Sequence, residues 1–318
     1  MMCHMRRRSL LVLLVALLVG TIAQPTAGAR PVAGCALFPR NSYWHADVSG
    51  LPPHARSDAW VRAIGIDDGL KADFGSGLWE GSPIGIPNNV VTNSTPRYSV
   101  AFQWPEESDR PRGGYPIPAR PRIEGGGDRH LLTVNRDTCR LSELYAVRKV
   151  NGRWRAGSGA VWDLRSNALR PDGWTSADAA GLPILPGLVR WPEVAAGNID
   201  HAIRFTAPVT QDGHIWPARH DAGDGGLNTP PMGAWFRLKD EVDISGFHGP
   251  LRVILEALQT HGMILADNGS PWYLSGVPDP HWDNDLLNTL DDHFSGRDFE
   301  AVDTTSLRSS ANSGAVAS

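Results

Sequence analysis

Three stretches of the chain concentrate side chains able to do chemistry. In Glu124-Gly125-Gly126-Gly127-Asp128-Arg129-His130, three glycines without side chains let the backbone approach a ligand and deliver a carboxylate, a guanidinium and an imidazole. In His214-Ile215-Trp216-Pro217-Ala218-Arg219-His220-Asp221, a flat indole stands beside cationic donors, which suits a sugar ring and its hydroxyls or carboxylate. Pro217 places this stretch at an edge or in a loop, where β-scaffolds keep much of their chemistry. Asp267-Asn268-Gly269-Ser270, followed by Trp272, reads first as a hairpin turn and second as a site. The candidate catalytic groups are therefore Asp128, His130, His220 and Asp267. The candidate substrate-binding groups are Arg129, Trp216, Arg219 and Trp272.

Two kinds of chemistry fit these groups. A glycosidase needs two carboxylates about 5 to 10 Å apart, one with a raised pKa, and Asp128 or Glu124 opposite Asp267 would supply them. A polysaccharide lyase needs an imidazole base with an arginine neutralising a uronate, which His130 with Arg129 or His220 with Arg219 would supply. The chain holds no G-x-S-x-G elbow, H-E-x-x-H, P-loop or paired C-x-x-C. Asp221-x-x-Asp224-Gly225 and the His214/His220 spacing match neither an EF-hand nor a zinc motif, so no metal and no cofactor is expected. A net charge of −4 leaves no footprint for nucleic acid or an anionic membrane. Twelve Trp against five Tyr point instead to an extracellular polysaccharide as partner.

That partner requires export, and the N-terminus is built for it. Arg6, Arg7 and Arg8 precede an apolar run from Leu10 to Ile22, and Ala27-Gly28-Ala29 is an A-x-A cleavage pattern. Residues 1–29 read as a secretory signal peptide, so the mature protein is secreted. The run is too short for a stable membrane span. Val32-Ala33-Gly34-Cys35 resembles a lipobox, but it lies beyond the apolar core. Cys35 and Cys139 remain as an even pair and predict a disulfide in an oxidising compartment.

The elements that must position these groups are short. With 34 Gly and 25 Pro, the chain reads as many strands joined by tight turns. Strands are expected at His201 to Ala207 and Trp235 to Leu238, a hairpin-like pair at Leu131 to Val134 and Leu141 to Val150, and a second hairpin at Met263 to Ser275. Helices are expected at Ser57 to Ile64, Pro250 to His261 and Trp282 to Asp292, with a short one opening at Thr175 or Ser176. Strands come in runs without βαβ alternation. The predicted fold is mostly β, an antiparallel β-sandwich or jelly-roll-like core with a few short helices. It forms a single globular domain over 30–303 with a disordered tail over 304–318. Two α+β lobes meeting near residue 165 are the alternative.

Several of these motifs carry a resemblance. Phe38-Pro39-Arg40-Asn41 with Trp44, Gly127-Asp128-Arg129-His130, the run from Ala180 to Arg190, Trp216-Pro217-Ala218-Arg219-His220 and Leu265-Ala266-Asp267-Asn268-Gly269-Ser270 resemble the hallmarks of a family of exported bacterial proteins, largely actinobacterial. The resemblance implies export and one domain over nearly the whole mature chain. It transfers no activity. The expected function is a carbohydrate-active enzyme, glycosidase or polysaccharide lyase, on extracellular glycan. The alternative is a non-catalytic carbohydrate-binding or cell-envelope protein. Convergence of Asp128, His130, His220 and Asp267 on one pocket would favour the enzyme.

Overall fold

The computed structural model describes residues 30–317, so the signal peptide expected over residues 1–29 lies outside the described residues. The fold is β-rich with a few short helices. Ten strands build its two larger sheets: β1 (Lys71–Asp73), β2 (Asn88–Val91), β3 (Leu131–Asn135), β4 (Arg140–Leu144), β5 (Gly159–Asp163), β6 (Ile203–Ala207), β7 (Trp235–Leu238), β8 (Met263–Asn268), β9 (Tyr273–Ser275) and β10 (Phe299–Ala301). The helices are α1 (Ser57–Ile64), α2 (Trp191–Val194), α3 (Gly249–Thr260) and α4 (Asn284–His293).

One sheet runs β1-β9-β6-β8-β7-β10 and the other β5-β4-β3-β2. Strand directions are mixed where the sequence reading expected antiparallel pairing. The pairs β1–β9, β6–β8 and β2–β3 run parallel, and the remaining neighbours run antiparallel. Parallel partners need crossover connections, and β7 with α3 forms the one between β6 and β8. Ile203, Phe205, Ala207 and all of Met263 to Ala266 are buried, because central strands covered on both faces read as continuous apolar runs. Helix α3 turns Leu251, Ile254, Leu255 and Leu258 inward and packs on β7. Pro250 sits in its first turn and Gly262 follows its end at φ +65°.

The hairpin expected over 263–275 does not form. β6 lies between β8 and β9, parallel to the first and antiparallel to the second. Asn268 is drawn sideways instead: its Oδ1 accepts from Thr210 Oγ1 (2.8 Å) and its Nδ2 donates to the Ala222 carbonyl (2.7 Å). The pair β3–β4 is a true hairpin, and Asn151-Gly152, both at positive φ, turns Arg148–Val150 back onto Arg153–Ala156.

The Cys35–Cys139 disulfide, with Cα atoms 5.4 Å apart, ties the N-terminal arm to the end of β3–β4. Cys35 is therefore not a free lipid-bearing thiol. The tail expected to be disordered is held in place through Ala317. Val316 N donates to the Asn41 carbonyl (2.8 Å), and Gly314 O accepts from Tyr43 N (2.7 Å). Its Ser/Ala-rich composition predicted disorder, but backbone pairing with the arm supplies the order. Among the described residues, no helix is long and apolar enough to cross a membrane.

Two buried carboxylates hold loops against this frame. Glu143 on β4 accepts from Ile184 N, Leu185 N and Trp162 Nε1 and, among the described residues, makes no ion pair. Burial pushes its carboxyl up to about 7, the Leu185 and Ile184 amides opposing. Glu193 on α2 pairs with Arg190 and with His201 Nε2 at 3.3 Å. Burial opposes its charge, yet these two partners hold it below the usual carboxylate range.

Candidate active site

A cleft of about 490 Å³ lies where loops from both sheets converge. Asp267 reaches it from β8, Asp128 from the glycine arm before β3, Tyr145 from just after β4 and Ser158 from just before β5. The 208–234 loop contributes His220 and Asp221, and the turn at 175–179 contributes Asp178. Trp104 and Glu107 complete the rim, with the Trp104 ring stacked on Tyr145 at 6.3 Å.

Arg204 on β6 organises the floor. Its Nε donates to Asp178 Oδ2 (2.8 Å) and its Nη2 to Asp178 Oδ1 (2.7 Å), the two-pronged geometry of an arginine–carboxylate ion pair. The same Nη2 donates to Asp267 Oδ2 (3.0 Å), and Nη1 donates to Ser275 Oγ (2.6 Å). The β6–β8 register slips between Phe205 and Thr206, which sets Asp267 opposite Thr206. Such slips re-aim side chains next to functional sites.

Charge counting predicts where a proton resides. His130 is buried behind the cleft wall; its Nε2 donates to the Ala177 carbonyl (3.0 Å) and its Nδ1 to Glu124 Oε2 (2.5 Å), so both ring nitrogens carry hydrogen. Burial opposes that charge, but the Glu124 carboxylate outweighs it and lifts His130 to about 9. Glu124 in turn lies below the usual range, burial being overcome by His130. Two cations, Arg204 and His130, thus meet two anions, Asp178 and Glu124. An ionised Asp267 would be a third anion. Burial and the Asp178 charge push its carboxyl up to about 8, against Arg204 and His130, so near neutrality it holds a proton. Burial and the charges of Asp128 and Asp267 also raise the Tyr145 phenol, so both carboxyls act on that ring.

The wall carrying Asp178 is not the helix expected from Thr175 onward. Ser176 Oγ accepts from Asp178 N (2.9 Å) and donates to the Leu182 carbonyl (2.5 Å), while Thr175 Oγ1 donates to the Asp178 carbonyl (3.2 Å). These hydroxyls satisfy the backbone groups a helix would have used. Gly181, at φ +68°, closes the turn, and Ala180 N donates to the Ala266 carbonyl (2.9 Å), docking it on β8 beside Asp267.

Of the residues singled out in the sequence, Asp128, His220 and Asp267 line the cleft together. His130 stands behind the wall and positions it. Arg129 lies outside, its Nε donating to the Val147 carbonyl (2.9 Å). Arg219 is buried and grips the tail through Ala311 O (2.9 Å) and Asn312 Oδ1 (3.0 Å). Trp216 Nε1 donates to Ser313 O (2.9 Å), and Trp216 and Arg219 border a different cavity. Trp272 is a core residue, fully buried between Phe205 and Phe299. A tryptophan or arginine near a turn reads alike in sequence whether it binds ligand or backbone; here Arg129, Trp216 and Arg219 bind backbone carbonyls, and Trp272 is core. Sequence reasoning passed over Asp178, Glu107, Trp104 and Tyr145. The Trp-Pro-Glu-Glu run at 104–107 is the signal that would have exposed two of them. No family model, curated protein or solved structure matches the chain.

Proposed function

We propose that the protein is a secreted glycoside hydrolase acting on extracellular glycan, with Asp267 as proton donor and Asp128 as the partnering carboxylate. The observation that carries this reading is an accessible cleft that brings the Asp267 and Asp128 carboxyls together beneath an aromatic pair at its rim, with burial and the Asp178 charge raising the Asp267 carboxyl. Protonation of the glycosidic oxygen is the work such a group does, while an exposed carboxylate stabilises or captures the developing oxocarbenium ion. Asp178 and Arg204 position the donor. His220 Nδ1 donates to the Ala179 carbonyl (2.8 Å), which turns Nε2 toward Glu107 (3.7 Å). The lyase alternative draws less support, because no arginine or lysine side chain lines the cleft among the described residues to neutralise a uronate. The disulfide favours an oxidising compartment, and the N-terminal pattern and the family resemblance favour export.

Reducing-end release from a panel of polysaccharides tests the reading. Wild type is expected to release sugar, and Asp267→Asn and Asp128→Asn to lose about a hundredfold or more, the scale of acid–base catalysis, while staying folded. Full activity in Asp267→Asn, or no release from any glycan, would overturn it. Binding without cleavage would favour the non-catalytic carbohydrate-binding protein.

A further inference from the structure

Asp267 stands at one side of the cleft. A second cavity of about 530 Å³ opens beside it, bordered by Asp73, Trp79, Ser82, Glu124 and Tyr273. Sheet register measures the offset: Tyr273 on β9 and Asp267 on β8 both stand opposite Thr206 on β6. Two strand spacings separate them, about 10 Å. The cavities share one wall, the arm whose Glu124 borders the second and whose Asp128 borders the first. Three successive residues of that wall have no side chain, and a Cβ at Gly126 or Gly127 would meet nothing within 4 Å. Its crest is low and open. Beyond it, the small hairpin Leu78–Trp79/Ser82–Pro83 carries Trp79, which is 73% exposed. An indole left in solvent adds nothing to a core, but it offers a flat apolar face beside polar acceptors. The first cleft has the same device in Trp104, 42% exposed and stacked on Tyr145.

We propose that the two cavities form one continuous groove for a linear glycan, with Trp79 as a stacking platform remote from the reacting bond. The groove rests on the glycosidase reading and extends it: the enzyme cuts within chains of neutral or amino-substituted sugars. Carboxylates line both cavities, and no arginine or lysine side chain lines either among the described residues. A uronate polymer would be repelled.

The test compares Trp79→Ala and Trp79→Phe with wild type on neutral polysaccharides and chitosan, and on disaccharide glycosides of the same linkages. The polymer-to-disaccharide rate ratio is expected to fall about tenfold in Trp79→Ala, the scale of one stacking contact, and to recover in Trp79→Phe. A ratio unchanged within about twofold overturns the groove and leaves the glycosidase reading intact. Retardation in gels containing each polymer, measured with Asp267→Asn and with Asp267→Asn/Trp79→Ala, separates the two ideas. Retardation that depends on Trp79 without cleavage by wild type sustains the groove and sinks the glycosidase. Neither retardation nor cleavage sinks both.

Discussion

Asp178→Asn and Asp267→Asn remove one carboxylate oxygen each from the same guanidinium, yet they should differ in cost. Asp178 is fully buried and accepts two N–H bonds from Arg204, whereas Asp267 accepts one and keeps about a fifth of its side chain (22%) in contact with solvent. Asp267 already holds a proton near pH 7, so Asp267→Asn exchanges one neutral group for another of the same shape. Its Oδ1 still accepts from Asn268 N, and the loss should stay within about 1 kcal/mol, one net hydrogen bond. Removing the Asp178 charge would strand Arg204 at a cost of about 3 to 5 kcal/mol. The Asp178 charge is also the chief neighbouring charge that keeps Asp267 protonated. Without it, Asp267 ionises and recovers about 1.5 to 3 kcal/mol as a charged hydrogen bond, leaving a net loss near 2. The double variant has no carboxylate to recruit, so the full cost returns. The expected coupling is about 2 kcal/mol, well above the roughly 0.5 kcal/mol scatter of independent sites. Urea unfolding at pH 7, followed by tryptophan fluorescence, measures all four corners. Additive losses, or Asp267→Asn costing as much as Asp178→Asn, would refute the charge count.

Stability should peak near pH 4.5. Asp267 and Glu143 titrate in the folded state near 8 and 7 against ordinary values of 3.8 and 4.5, so their contributions are complete only below those ordinary values and drain away as pH rises toward 8 and 7. His130, near 9 against 6.5, adds a contribution that is complete below 6.5 and lost through 9. Glu124 and Glu193 act oppositely: lowered from 4.5, they lose their contribution only as pH falls below it. A melting-temperature maximum above pH 8 would contradict this. Cys139→Ser opens a loop with a sequence separation of 104 and should cost about 4 to 5 kcal/mol in the chain-entropy treatment. Equal urea midpoints with and without reductant would show otherwise. Leu255→Ala, at a fully buried position of α3, should cost about 2 to 5 kcal/mol, and a loss under about 0.5 would mean the helix face repacks freely.

Elements written in periodicity were legible from the chain alone. The bounds of α1 and α3 and the strand Trp235–Leu238 follow from local spacing and capping chemistry, and the structure places them within a residue or two. What local signals cannot carry is partner choice. Asn268-Gly269 announces a turn, but nothing nearby says that β6 will slide between the strands on either side of it. Thr175 and Ser176 look like helix caps because the same hydroxyls serve a cap and a closed turn equally well. The candidate site was legible where glycine freed a carboxylate, at Asp128, and where a turn displayed one, at Asp267. Arg204 and Asp178 were not, because an arginine in an apolar strand announces only that it must find an anion, not which one.

The pairing of β1 with β9 joins Lys71 to Tyr273, and the groups around the cleft come from positions as far apart as 104 and 268. Contacts this distant along the chain are formed late, since the loop between them must be closed before it is rewarded. Folding should therefore be slow for a chain of this size, and its rate should be set by the arrival of the last third. A nascent or truncated chain ending before β9 has β6 without one neighbour and β1 without its partner. It would present exposed strand edges to chaperones and proteases instead of a partly formed cleft.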